Sequence, residues 1–100
     1  MKNPKRSEIR TGKARILLVD DHPILREGLS RLINQEHDLQ VCGQAASVGE
    51  ALQMCSALQP DLSLVDLTLR DASGIELIKN VRTRFSRMRL LVLSMHKETL

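Results

Sequence analysis

The chain has 100 residues, 42% of them apolar, with no tryptophan, no tyrosine and one phenylalanine, Phe85. That suffices for one aliphatic core and excludes a surface that works by stacking aromatic side chains on bases or sugars. The net charge of +3 is unevenly held, because residues 1–15 carry six basic side chains against Glu8 while the remainder carries nine basic and eleven acidic ones. The body is therefore mildly acidic, and residues 1–13 read as a basic, solvated N-terminal tail preceding one domain over residues 14–100.

Cys42 and Cys55 lie among apolar neighbours without a CxxC or His-Cys partner, the pattern of buried, reduced thiols. No apolar run approaches the ~18 residues of a membrane span, and MKNPKRSEIRTGK lacks the apolar stretch of a signal peptide. A soluble, cytoplasmic protein is expected.

The first element, ARILLVD, is short and apolar on both faces, as a parallel strand buried between helical layers would be. Pro23 suits a first helical turn, and Leu25, Leu29, Leu32 and Ile33 recur on one face of a helix ending near Glu36. LQVCGQAA is the second strand. Ser47 and Glu50 have capping-box spacing, and Val48, Ala51, Leu52, Cys55 and Leu58 form the stripe of a second helix that Pro60 closes. DLSLVDL is the third strand. A polar loop follows, then a third helix with Ser73 as cap and Leu77, Ile78, Val81 and Phe85 on its buried face. Arg82, Arg84 and Arg87 near its end read as a solvated terminus that complements the helix dipole. MRLLVLS is the fourth strand. The alternation β-α-β-α-β-α-β predicts an α/β fold, a flavodoxin-like, doubly wound parallel sheet.

Asp20 and Asp21 end the first strand, and two such charges ~4 Å apart repel by roughly 4 kcal/mol at an effective dielectric near 20. With strand order 2-1-3-4, Asp66 at the end of the third strand faces the same crevice, where open parallel sheets bind ligands. Three converging carboxylates call for a cation, and oxygen-only ligation suits magnesium, which also accepts a phosphate oxygen. Asp66, set apart from the pair, is the candidate nucleophile toward phosphorus. Ser94, at the end of the fourth strand, would place a hydroxyl in the same crevice. Taken singly, Asp66 reads more readily as a turn or cap residue. His22 reads as a partly exposed loop histidine rather than a ligand, since magnesium prefers oxygen.

The segments LLVDDHP, LSLVDLTL, SGIELIK and LLVLSMH resemble the receiver domain of bacterial two-component response regulators. VDDHPILREGL and VLSMH are similar to the subfamily whose receiver precedes a LuxR-type helix-turn-helix domain, the NarL/FixJ-like group. The resemblance implies that Asp66 accepts a phosphoryl group from a sensor histidine kinase. It implies Asp21, Asp66 and the main-chain carbonyl of Thr68 as direct magnesium ligands, with Asp20 acting mainly through water. Ser94 would move toward the phosphorylated Asp66 and so couple phosphate to a changed surface. The same resemblance allows a receiver homodimer and assigns DNA contact to a C-terminal output domain.

The sequence departs from that family in several places. Arg70 and Asp71 stand where Pro and Gly are common, Met95 replaces a small residue, and Thr68 and His96 fall where phosphate lifetime is tuned. No residue fills the role of the family's phosphate-pairing lysine on a fifth strand, so the sheet is expected to be C-terminally truncated, without its fifth strand and helix. Two alternatives remain open on sequence alone. One is a magnesium-dependent phosphohydrolase of haloacid dehalogenase type, whose second Asp would have to be Thr68. The other is nucleic-acid binding through the basic tail.

Overall fold

A computed structural model describes residues 12–66 and 74–93. Four parallel strands, β1 (Ala14–Val19), β2 (Leu39–Ala45), β3 (Leu62–Asp66) and β4 (Arg89–Leu93), alternate with the helices α1 (Pro23–Asn34), α2 (Val48–Leu58) and α3 (Gly74–Arg84). The sheet order is β2-β1-β3-β4. The winding therefore reverses between β1 and β3, as the alternation of elements predicts, and every connection is a helical crossover.

Ile16, Leu17, Leu18 and Val19 are all at most 4% exposed, so β1 is covered on both faces. Leu17, Val19 and Val65 meet Ala51 and Cys55 of α2 and Leu77 and Val81 of α3 in one core cluster. The alternate residues Ile16 and Leu18 turn to the opposite face, where α1 packs across β1 and β2. That cover is thinner. No residue of α1 is fully buried, and Leu32, expected on its inner stripe, is 62% exposed. The helix also stops at Asn34 rather than near Glu36, where the Asn34 Oδ1 accepts the Val41 backbone N–H at 2.8 Å and turns the chain into β2.

The cap at Ser47 is realised, Glu50 N–H donating to Ser47 Oγ at 3.1 Å, while Glu50 Oε1 reaches one residue further back and accepts from the Ala46 N–H at 2.8 Å. At the other end of α2, Gln59 takes the left-handed conformation with φ 48°. Arg15 then holds that end, its Nη1 donating to the Leu58 carbonyl at 2.6 Å, while its backbone N–H donates to Asp61 Oδ2 at 2.7 Å. The register between β1 and β2 slips at Ile16/Leu17, so Leu17 faces Gly43 and Cys42 is passed over. A Cβ on Gly43 would stand 2.9 Å from Leu58 Cδ1 and 3.4 Å from Met54 Sδ, so the residue's bareness lets α2 lie close on the sheet. Cys55 is buried and Cys42 only half-buried, which corrects the expectation that both are buried.

Candidate functional site

The pairing of Val19 with Val65 in the parallel β1–β3 ladder brings Asp20 and Asp66 to the same level at the carboxyl ends of neighbouring strands. Asp20 is 3% and Asp66 2% exposed, and the side chain of Asp21 is 8% exposed. Two further bonds fix the loop after β1. Asp20 N–H donates to the Ala45 carbonyl at 2.9 Å, and Asp20 Oδ1 accepts from the His22 backbone N–H at 2.7 Å, the local turn that aspartate favours.

His22 occupies the N-cap of α1 with extended backbone, yet its side chain makes no cap bond. It turns back toward the carboxylates instead: Nδ1 lies 2.7 Å from Asp20 Oδ1, 3.1 Å from Asp21 Oδ1 and 3.5 Å from Asp66 Oδ2. The hydrogen bond to Asp20, followed by the charges of all three aspartates, holds the imidazole above its ordinary pKa against a desolvation effect of opposite sign. Half the side chain remains exposed, as the sequence suggests, but the ring nitrogen belongs to the acidic cluster. The sequence reading missed this because a histidine after DD carries no spacing signal of its direction.

Arg26 was also missed. Its Nη1 donates to the Asp20 carbonyl at 2.7 Å and its Nε to Gln44 Oε1 at 3.1 Å, so one guanidinium ties the ends of β1 and β2 together behind the cluster. An arginine one turn into a helix looks like ordinary surface in a sequence. Only the sheet order reveals that it reaches two strand ends.

One ligand atom each from Asp20, Asp21, His22 and Asp66 lies within 4.8 Å of the others. The three carboxylates gather an oxygen-rich donor set of the chemistry that suits a hard ion such as magnesium. Thr68 and Ser94, predicted for the same crevice, lie outside the described residues, as do Ser73, Arg70, Asp71, Met95 and His96.

The family model for the response regulator receiver domain matches residues 16–100. The chain belongs to the response regulator receiver family. It is 39% identical over 80 residues to the DNA-binding transcriptional activator DevR/DosR of Mycobacterium tuberculosis, covering 80% of this chain and 37% of that protein. It is 37% identical over 87 residues to the nitrate/nitrite response regulator NarL of Escherichia coli K12, covering 85% of this chain and 40% of that protein. The receiver thus spans about two fifths of the curated relatives it matches. Among solved structures, a LuxR-family two-component response regulator from Aurantimonas superposes with TM-score 0.81 at 42% identity, covering 86% of this chain and 61% of that one. The signal receiver domain of the putative NarL of M. tuberculosis superposes with TM-score 0.80 at 32% identity, covering 87% and 70%. The chain is a receiver domain of the NarL/LuxR type, and this membership displaces the phosphohydrolase alternative.

Proposed function

We propose that this receiver is a phosphoacceptor whose modified residue is Asp66, phosphorylated from the phosphohistidine of a sensor kinase with magnesium in the crevice. The observation that carries the reading is the convergence of Asp20, Asp21 and Asp66 at adjoining ends of β1 and β3. Asp21 and Asp66 would hold the ion directly, with the Thr68 carbonyl, and Asp20 would act mainly through water. When bound, magnesium supplies charge neutralisation for the carboxylates and for the incoming phosphoryl oxygens. An Asp66 carboxylate oxygen attacks phosphorus in line. The new O–P bond forms as the donor's N–P bond breaks, and the electron pair leaves with the donor imidazole. Ser94 is the hydroxyl that would report the phosphate, biasing a two-state equilibrium through contacts made only in the modified state.

In this reading the protein acts in the cytoplasm, and among the described residues no helix is long and apolar enough to cross a membrane. Residues 1–13 are a basic tail ahead of the receiver. The output is transcription regulation through a DNA-binding domain of the kind its relatives' names imply, with a receiver homodimer as the switched assembly. Incubation with a small acyl-phosphate donor, with and without magnesium, tests the reading. One labile phosphoryl per chain that requires magnesium is expected. Sustained turnover of phosphate monoesters, or labelling indifferent to magnesium, would contradict it.

A further inference from the structure

Between Glu76 and Glu98 the sequence contains no acidic residue, and it carries Lys79, Arg82, Arg84, Arg87, Arg89 and Lys97. The fold gathers four of these at one corner. Arg82 and Arg84 lie in the last turn of α3, Arg87 in the short connection, and Arg89 opens β4. All four are exposed. Arg82, Arg87 and Arg89 form no ion pair among the described residues. Arg84 is held in place by packing, its guanidinium 5.3 Å from the centroid of the Phe85 ring, which is itself packed against the core. The connection is pinned by Phe85 N–H to the Val81 carbonyl at 2.7 Å, Met88 N–H to Phe85 at 3.0 Å and Arg89 N–H to Asp61 at 3.2 Å.

We propose that this arginine corner is a docking surface for the sugar-phosphate backbone of duplex DNA. The negative end of the α3 dipole accounts for roughly half a charge, far less than four guanidinium groups. An acidic protein partner is the poorer match. Stable protein interfaces centre on a dry apolar or aromatic anchor, whereas the exposed residues between these arginines are Thr83 and Ser86, and Phe85 is turned inward. A phosphodiester backbone needs no such anchor. It presents closely spaced charges, and planar guanidinium groups bind phosphate in bidentate fashion. Parallel strands all begin at this pole, and the length of β3 separates it from Asp66 by about 13 Å at 3.3 Å per residue. DNA at the corner would therefore leave the crevice open.

The test is fluorescence anisotropy of the 100-residue chain with a labelled duplex of arbitrary sequence, measured across a salt series. In the variant combining Arg82→Gln, Arg84→Gln, Arg87→Gln and Arg89→Gln, the slope of log K against log salt is expected to shrink by about 3 to 4, near 0.9 for each lost phosphate contact. A second variant, with Lys2, Lys5, Arg6 and Arg10 changed to Gln, separates the corner from the basic tail and is expected to keep the corner's share of the slope. If the four-fold variant melts early by circular dichroism, the pairs Arg82/Arg87 and Arg84/Arg89 are read separately, each expected to remove about half. An unchanged slope in the corner variants would overturn the proposal, as would a slope abolished by the tail variant alone. Equal binding of polyglutamate at matched charge would overturn it too.

Discussion

His22 sits where an anionic cluster most needs a positive group, with its Nδ1 against Asp20, Asp21 and Asp66. Its pKa is raised in the folded protein, first by the Asp20 hydrogen bond and then by the three charges. A raised folded-state value means that the imidazolium adds stability in full below the unfolded value of about 6.5, and that this share is lost as pH rises through the folded value. The metal-free protein should therefore lose part of its urea midpoint above pH ~6.5, and His22→Gln should flatten that dependence. Magnesium affinity should rise over the same window, because the proton leaves a cluster the ion can then neutralise. An identical pH profile in His22→Gln would refute this role. Arg26 is a second residue whose effect is local. Arg26→Ala removes the bonds to the Asp20 carbonyl and Gln44, and at a part-exposed position this should cost about 1 to 2 kcal/mol, read as a lower urea midpoint at unchanged slope.

At the scale of elements, the strands were the most legible part of the sequence and α1 the least. β1 reads as a run buried on both faces, and its four inner residues are so buried. The cap at Ser47 and Glu50 was readable because capping chemistry is local to four residues. The stripe on α1 predicted a helix correctly but overstated its burial, since periodicity reports which residues share a face and not how much the neighbouring layer covers. This difference can be measured. Leu17→Ala, at a fully buried position, should destabilise by about 2 to 5 kcal/mol, while Leu32→Ala, at 62% exposure, should stay within about 0.5 kcal/mol. Comparable losses at both positions would show that α1 is packed more deeply. The slip in register that sets Leu17 against Gly43 was not readable, because a bulge depends on what the partner strand and the helix above it require.

For the molecule as a whole, the sheet order turns two distant motifs into one site. Asp20 and Asp21 meet Asp66 only because β1 and β3 are neighbours across the point where the winding reverses. The sequence announced the three carboxylates, whereas the direction of His22 and the tie made by Arg26 needed the fold. In the proposed function, the repulsion within the DD pair is what a bound cation would relieve. The most direct test of the account is the intact mass of the chain after treatment with a small phosphodonor and magnesium, beside Asp66→Asn treated identically. One added phosphoryl on the wild-type chain, absent from Asp66→Asn, is the predicted result; a phosphoryl that persists in Asp66→Asn would contradict it.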